Sequence, residues 1–321
     1  MLQIFKTCEN NTLKELSIVE KDTVKGAWFN LTRPTGDEIK QVAEVINLDP
    51  DYLRDALDSE ERSRLEIEED VMLIITNIPL MEDENTFDTL PLGIILTPNH
   101  IVTVSLKENN ILSFFNQDTS KLFHTDERTK FLFHILFRST KFYLRYLNRI
   151  NSRTDQIELE LRRTMKNKAL FQLFEVQKSL VYFTTALKDN GVVLEKLMRL
   201  RQNINLHHIF KLNEDDEDML EDVIIENKQA LEMVEMHRNI LESMMDAFAS
   251  IISNNLNMVM KFLTSMTIIL AIPTMIASFW GMNVPVPMAH THHYAAFILI
   301  IITSFIGTSI VAAILAKKNL F

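Results

Sequence analysis

A line of small and polar residues recurs in steps of four and three from Asn239 onward, which places it on one face of a helix. It comprises Ser243, Asp246, Ser250, Ser253, Asn257, Met260, Thr264, Thr267, Ala271, Thr274 and Ser278. Small and hydroxyl residues also let membrane helices pack closely, so packing is the alternative interpretation. A dry interface gives no reason for Asp246 and Asn257 to continue the line before the apolar segment begins. The pattern therefore favours a water-filled path.

The segment that follows this line carries the chain's one Gly-Met-Asn, Gly281-Met282-Asn283, and then His290, His292 and His293. Imidazole nitrogens suit zinc, nickel or cobalt, so the histidines are possible metal ligands. Adjacent histidines without further ligands make a poor closed site, and an exposed polar loop is the favoured interpretation. Taken alone, Gly-Met-Asn indicates only a turn.

Two uncharged apolar segments flank the loop, Phe262 to Trp280 and Ala295 to Ala316. At 1.5 Å per residue each is long enough to cross a hydrocarbon core of about 30 Å, which predicts two transmembrane helices. The loop has no Lys or Arg, whereas Lys261 precedes the first segment and Lys317 and Lys318 follow the second. This charge pattern predicts that both termini face the cytoplasm.

A single polar helix face cannot enclose water, and two spans per chain are too few to surround a lumen. A pore therefore requires several copies around one axis, with closed cyclic symmetry as the default. The repeat of four and three extends over about forty residues, which implies a supercoiled helix bundle.

Composition excludes several classes of function. The formal charge of -10 makes nucleic-acid binding unexpected and fits a cationic partner. The single Cys8 excludes an internal disulfide. No P-loop, Cys/His zinc spacing or nucleophile motif is present, so an enzyme is not expected. The first residues lack the apolar core of a signal peptide, so we expect the N-terminus to stay in the cytoplasm.

Residues 1–125 are predicted to form a cytoplasmic α/β domain. Strand-like runs cover 27–31, 71–78, 93–97 and 100–106. Thr35 and Glu38 have the spacing of a capping box, and a second short helix is predicted near Pro50.

Long helices are predicted beyond this domain, because Gly and Pro are absent from Asn99 to Asn190 and from Val192 to Ile272. An antiparallel helical pair is assigned to 126–212, its second helix ending at Asp189-Asn190-Gly191. The acidic residues 214–218 are interpreted as a solvated loop. The remaining predicted segments are a stalk helix (213–260), a pore-lining transmembrane helix (261–280), an outer loop (281–294), a second transmembrane helix (295–316) and a basic tail (317–321).

Three stretches resemble the CorA magnesium channels, the two-span GMN type of metal ion transporter: "NMVMKFLT" (Asn257 to Thr264), "PTMIASFWGMN" (Pro273 to Asn283) and "KKNLF". The resemblance covers essentially the whole chain, and GMN directly after the first of two C-terminal spans is specific. It implies a homopentameric Mg²⁺ channel in the cell membrane, with Asn283 forming a ring at the outer mouth. Amide oxygens can accept hydrogen bonds from the waters that Mg²⁺ releases reluctantly.

The resemblance also implies which residues line and regulate the pore. The lining residues would be Asn257, Met260, Leu263, Thr264, Thr267 and Thr274. Among them, Met260 and Leu263 would form a hydrophobic constriction that gates by dewetting. Intracellular Mg²⁺ would bind between neighbouring cytoplasmic domains at Asp55 and Asp222 and hold the channel closed. Where the family has a further acidic residue near Asp222, this chain has Ile225.

Two other functions remain open at this point. A zinc transporter of the same superfamily is favoured by the loop histidines and disfavoured by the cytoplasmic carboxylates. A membrane-anchored metal sensor that does not conduct ions is disfavoured by the polar line along the first span. Cobalt and nickel are further candidate ions for a magnesium channel.

Overall fold

The computed structural model describes residues 1–8, 10, 12–16, 24–83, 86–164, 167–282 and 293–318. These residues divide into two compact units, Met1–Glu242 and Ser243–Phe321. The boundary falls inside one long helix and coincides with none of the predicted domain limits, which stay predictions.

A seven-stranded sheet forms the centre of the first unit. Its strands are β1 (Leu2–Thr7), β2 (Leu13–Glu15), β3 (Trp28–Thr32), β4 (Arg64–Glu68), β5 (Val71–Asp83), β6 (Thr86–Leu96) and β7 (Ile101–Ser105). They lie in the order β2-β1-β3-β7-β6-β5-β4, and every neighbouring pair is antiparallel except β3 and β7. The four predicted runs correspond to β3, β5, β6 and β7. The other three strands were not predicted, and two of them, β2 and β4, are the polar edge strands.

Both faces of the sheet are covered, which explains why all five residues of β7 and seven of the first nine residues of β5 are buried. Leu73 and Ile75 on one face pack in a core with α1 (Gly36–Ile46) and α2 (Pro50–Asp55). The other face contacts two long helices, α3 (Arg128–Thr164) and α4 (Asn167–Arg199). Successive side chains of β5 therefore alternate between the core under α1 and α2 and the layer formed by α3 and α4.

The predicted helix starts at Thr35 and near Pro50 are confirmed. The Thr35 side chain accepts a hydrogen bond from the Glu38 N–H, and the Glu38 carboxylate accepts one from the Thr35 N–H at 2.8 Å. At α2, Asp49 caps the helix and Pro50 occupies its first turn. Both starts follow local rules that need no tertiary contact.

The predicted helix end at Asp189-Asn190-Gly191 is wrong, because α4 continues through it to Arg199. Asn190 is buried and bonds the sheet: its Oδ1 accepts from Thr76 Oγ1 at 2.9 Å and from the Asn77 N–H at 2.9 Å. A Cβ on Gly191 would lie 3.4 Å from Asn227 Nδ2. These two residues therefore serve tertiary packing within a helix rather than a turn.

The acidic run 214–218 is also not a loop. It forms the first turns of α5 (Glu214–Trp280), where carboxylates interact favourably with the helix dipole. Asp216 is buried, and its Oδ2 accepts a hydrogen bond from the Asn213 N–H at 3.3 Å. Burial raises the pKa of the Asp216 carboxyl. The prediction failed because acidic residues at a helix N-terminus look the same in sequence as a solvated charge run.

The second unit contains the rest of α5 and a final helix, α6 (His293–Lys317). Both helices are long and apolar enough to cross a membrane, by length and composition. Within this unit the two helices touch at Gly307, where a Cβ would lie 3.3 Å from Ile272 Cγ2 and 3.7 Å from Ile276 Cδ1. Glycine at this position permits the close approach.

Candidate functional site

All six predicted pore-lining residues, Asn257, Met260, Leu263, Thr264, Thr267 and Thr274, lie on α5 and are exposed in the single chain. Met260 is 52% exposed and Leu263 is 57% exposed, although both are large and apolar. At 1.5 Å per residue the set extends over about 26 Å of helix, close to the thickness of a hydrocarbon core.

The contact between α5 and α6 uses a different face of α5. Ile272 and Ile276 meet Gly307, and Ser265 on the same side is only 2% exposed. At 100° per residue this face lies roughly 130° around the helix from the polar line. Packing against α6 therefore does not account for the small and polar residues of the line.

Two threonines of the line donate their hydroxyl hydrogens to their own helix. Thr267 Oγ1 donates to the Leu263 carbonyl at 2.9 Å, and Thr274 Oγ1 donates to the Leu270 carbonyl at 3.0 Å. Because the hydrogen is used internally, each hydroxyl oxygen retains acceptor lone pairs. An exposed oxygen acceptor suits the hydration shell of a cation.

Pro273 lies within α5, immediately before Thr274. A proline nitrogen cannot donate to the carbonyl four residues earlier, so the Ile269 carbonyl lacks its usual helical partner. A helix inside a membrane accepts this more readily where water or polar groups can reach the free carbonyl.

The Gly-Met-Asn motif begins directly after α5. The Gly281 N–H donates to the Ala277 carbonyl at 3.0 Å, so helical hydrogen bonding extends one residue beyond Trp280. Met282 is exposed in the single chain. Asn283, His290 and His292 lie outside the described residues. His293 is the first residue of α6.

Asp55 is the last residue of α2, and its Oδ2 accepts a hydrogen bond from Arg64 Nη2 at 2.6 Å. Arg64 also pairs with Glu61 and, at 2.8 Å, with Glu66. Burial lowers the pKa of the Arg64 guanidinium, but the hydrogen bond to Glu66 and the surrounding carboxylates outweigh that effect and raise it. Asp55 Oδ1 forms no hydrogen bond with a described residue. Sequence reasoning missed Arg64, which nothing in the sequence connects to α2.

A glycine of β6 fixes the position of α2. A Cβ on Gly93 would lie 2.5 Å from the Ala56 Cβ, the residue that follows Asp55. A glycine inside a strand often marks such a close backbone approach, so this signal was available in the sequence.

Asp222 is an exposed residue of α5 and lines a shallow cleft of about 310 Å³. The cleft is also lined by Phe137, Asp215, Asp218 and Met219. Ile225, one turn further along, is 60% exposed despite being apolar. Sequence reasoning missed Asp215 and Asp218 because it assigned them to a loop.

One chain does not assemble a metal site from these carboxylates. Among the described residues, no three His, Cys, Asp or Glu side chains form a group that could hold a metal ion. The side chains present are oxygen donors, which suit Mg²⁺. A site at Asp55 or Asp222 would therefore need ligands from another copy of the chain or from water.

Most of this chain is similar to known metal transport proteins. The family model described as CorA-like Mg²⁺ transporter protein matches residues 25–318. The chain is 29% identical over 260 residues to the cobalt/magnesium transport protein CorA of Methanocaldococcus jannaschii, covering 80% of this chain and 79% of that protein. It is 23% identical over 269 residues to the protein of the same name from Thermotoga maritima, covering 82% of this chain and 74% of that protein.

The fold is similar to a solved structure over its full length. The complete structure of the CorA magnesium transporter from Methanocaldococcus jannaschii matches with a TM-score of 0.83 at 24% identity. The match covers 100% of this chain and 99% of that one. The predicted class, an α/β domain followed by long helices and two C-terminal apolar helices, is thereby confirmed.

Proposed function

The chain belongs to the CorA-like Mg²⁺ transporter family, and from that premise we propose that it is a channel through which Mg²⁺ enters the cell. The match over residues 25–318 carries this proposal, since it includes both apolar helices and the polar line on α5. The membrane potential would drive entry, with about 4.6 kcal/mol for a divalent ion at 100 mV. Co²⁺ and Ni²⁺ are further candidate cargo, and the two relatives carry cobalt in their names.

Five copies of the chain would enclose the pore, with the polar line of each α5 facing a common axis. The exposure of Asn257, Thr267 and Thr274 in the single chain supports this arrangement, because α6 covers another face of α5. Lipid would surround the outer faces of the spans, and both termini would lie in the cytoplasm of a multi-pass cell-membrane protein.

Within this pore, a ring of Asn283 would select hydrated Mg²⁺ at the outer mouth, with Gly281 and Met282 shaping the turn. Neutral amide oxygens can bind a hydrated divalent ion weakly enough to release it, which a carboxylate ring does less readily. Further in, Met260 and Leu263 would form an apolar constriction that gates by dewetting, with Asn257 as a polar ring at the cytoplasmic end. Between the Asn283 ring and the apolar constriction, the threonine oxygens of the polar line would accept hydrogen bonds from the waters around the ion.

Flux into liposomes that contain a Mg²⁺-sensitive dye tests this proposal under an inside-negative potential. We expect potential-driven Mg²⁺ entry with the wild type and its loss in Asn283→Ala. Asn254→Ala is the matched control, because Asn254 is an exposed asparagine of α5 outside the polar line. Entry of Zn²⁺ in place of Mg²⁺ would favour the zinc transporter, and failure of both ions to enter would favour a non-conducting sensor.

Intracellular Mg²⁺ would also close the channel by binding between neighbouring subunits, with Asp55 and Asp222 as ligands. The carboxylate chemistry fits, since Asp222 lies in an acidic cleft and Asp55 Oδ1 has no hydrogen bond to a described residue. Arg64 already holds Asp55 Oδ2, so bound Mg²⁺ would share this carboxylate with a guanidinium. That competition weakens binding, and Ile225 supplies no further ligand.

The concentration of internal Mg²⁺ that halves the flux measures this regulation. We expect Asp222→Asn to raise it about tenfold, because one charged ligand contact with the ion is lost. Glu221→Gln is the control, since Glu221 is an exposed acid beside Asp222 that lines no described cleft. Equal inhibition of both variants and the wild type would show that Asp222 is not a ligand of the regulatory Mg²⁺.

A further inference from the structure

Three arginines of α3 line a cleft of about 380 Å³ in the first unit, which we call the arginine cleft. Arg138, Arg145 and Arg149 are spaced by seven and four residues, so they lie on one face of the helix. Phe114 and Phe142 also line the cleft. Neither the ion path nor the carboxylates discussed above include any of these residues.

The arginine cleft contains cations without anions. No Asp or Glu is found among its described lining residues, and none of the three arginines forms an ion pair with a described carboxylate. By contrast, the neighbouring Lys141 pairs with Glu226 at 2.6 Å. Burial, and then the charge of Arg145, lower the pKa of the Arg138 guanidinium. In a chain with a formal charge of -10, three cations without a paired anion in one concavity form a local site that attracts an external anion.

Aromatic rings hold Arg138 in place. Its guanidinium carbon lies 3.9 Å from the centroid of the Phe114 ring and 5.0 Å from that of Phe142. Its Nε is buried and has no hydrogen-bond partner among the described residues. Within the described part of the chain, the hydrogen-bond partner of Arg149 Nη1 is the weak acceptor Sδ of Met81, at 3.2 Å. The Arg138 Nε is not accessible to a ligand, but the guanidinium groups of the three arginines pair with no described carboxylate and can donate to a planar or tetrahedral oxyanion, phosphate above all.

A second, polar cleft of about 500 Å³ adjoins the first and shares Met81, Asn110, Ser113 and Tyr146 with it. Its further lining residues include Gln3, Asn30, Thr32, Glu108 and Asn109. Amide oxygens and the Glu108 carboxylate accept hydrogen bonds, so this part can hold hydroxyl or amino groups. Both volumes fall in the range typical of small-molecule sites.

We infer that the arginine cleft binds a phosphate-bearing anion, and that the adjoining polar cleft holds the hydroxyl- or amino-bearing remainder of that molecule. The phosphate oxygens accept hydrogen bonds from Arg138, Arg145 and Arg149. A nucleoside polyphosphate has this division of charge, and inorganic polyphosphate supplies the anionic part alone. This site lies in the first unit and is tested by a binding measurement, so the result does not depend on whether the protein transports ions.

Isothermal titration of the full-length protein in detergent tests the inference, with tripolyphosphate and ATP as separate probes and Mg²⁺ omitted so that neither is complexed. We expect both to bind the wild type at about 0.15 M salt, where long-range charge effects are screened. Arg145→Gln/Arg149→Gln should weaken both at least tenfold, because two charge-assisted hydrogen bonds are lost. Arg153→Gln/Arg163→Gln, on the same helix outside the cleft, makes the same change in net charge and should bind like the wild type.

The two probes distinguish the sources of phosphate. Tighter binding of ATP than of tripolyphosphate, reduced by Asn110→Ala, would support a nucleotide spanning both clefts. Equal binding would confine the site to the arginines and overturn the role of the polar cleft. Absence of binding to the wild type, or equal binding by the two double variants, would overturn the whole inference. So would a change in oligomer mass on mutating Arg145 and Arg149, since the cleft would then be a subunit contact.

Discussion

Two short stretches of nearly the same composition have opposite surroundings in the two units. In the first unit, the β5 residues Val71 to Thr76 read VMLIIT, and Met72 to Ile75 are completely buried. In the second, α6 residues Phe297 to Thr303 read FILIIIT, and Phe297 and Ile298 are exposed. Phe305, two residues beyond this stretch, is 74% exposed.

The difference lies in what covers each stretch. The β5 stretch has paired strands on both sides and helix layers on both faces, all from the same chain. The α6 stretch satisfies its own backbone and leaves its side chains to surroundings outside the chain, as a helix in lipid does. Apolar composition alone therefore does not identify a core. The following predictions test whether the first unit depends on its own packing and buried groups, and whether the exposed polar line of the second unit serves ion flux.

Gly93→Ala should have the largest effect at neutral pH, because the first unit has no room for the added methyl group. The new Cβ would lie 2.5 Å from the Ala56 Cβ, and neither group is the end of a flexible side chain. We expect a loss of about 3 kcal/mol of stability, the upper end for overpacking. This corresponds to a fall of about 6–12 °C in melting temperature.

Tryptophan fluorescence during heating measures this change. In a Trp280→Phe background, Trp28 of the first unit is the one remaining tryptophan. Gly36→Ala is the control, since nothing lies within 4 Å of its added Cβ. Equal melting temperatures for Gly93→Ala and the control would show that α2 is not held against the sheet as described.

Acid should destabilise the first unit through His100. Burial, and then the charge of Arg128, lower the pKa of His100 to about 4. The unfolded chain, with a pKa near 6.5, takes up the proton first as pH falls. The free energy of unfolding is therefore unaffected by His100 above about pH 6.5. It falls progressively between about pH 6.5 and pH 4, by about 1.4 kcal/mol per pH unit.

The same fluorescence measurement, repeated between pH 7 and 5, checks this expectation. His100→Leu should melt with a shallower pH dependence than the wild type, because its buried side chain no longer titrates. Burial also lowers the pKa of His134 and of His237, so some dependence should remain. A wild type and variant with parallel pH profiles would contradict the assignment to His100.

Thr267→Val should have the smallest effect and should act on flux alone. The substitution keeps the shape of the side chain and removes an exposed oxygen from the polar line, so we expect Mg²⁺ flux to fall a few-fold. Thr303→Val on α6 is the matched control, because its hydroxyl makes the same bond to its own helix, 2.9 Å from the Leu299 carbonyl. Equal flux in the two variants would argue that the line is a packing surface.

The elements predicted well from sequence are those that local rules define. The capping box at Thr35, the helix start at Pro50 and the two long apolar helices each depend on residues a few positions apart. The polar line on α5 was visible because helical periodicity places residues four and three apart on one face. The β4 strand was missed, since its charged sequence RLEIE becomes a strand by pairing with β5.

Residues whose roles depend on distant partners could not be assigned in this way. Asn190 lies in a stretch typical of a turn, yet its bonds to Thr76 and Asn77 keep it inside a helix. Arg64 pairs with Asp55 because β4 passes beside α2, and Arg138 lies against Phe114 because two segments far apart in sequence meet. The sequence by itself determined the periodic helices, the spans and the family. The tertiary structure decided which charges are paired, since electrostatic pairing depends on distances in space that sequence spacing does not contain.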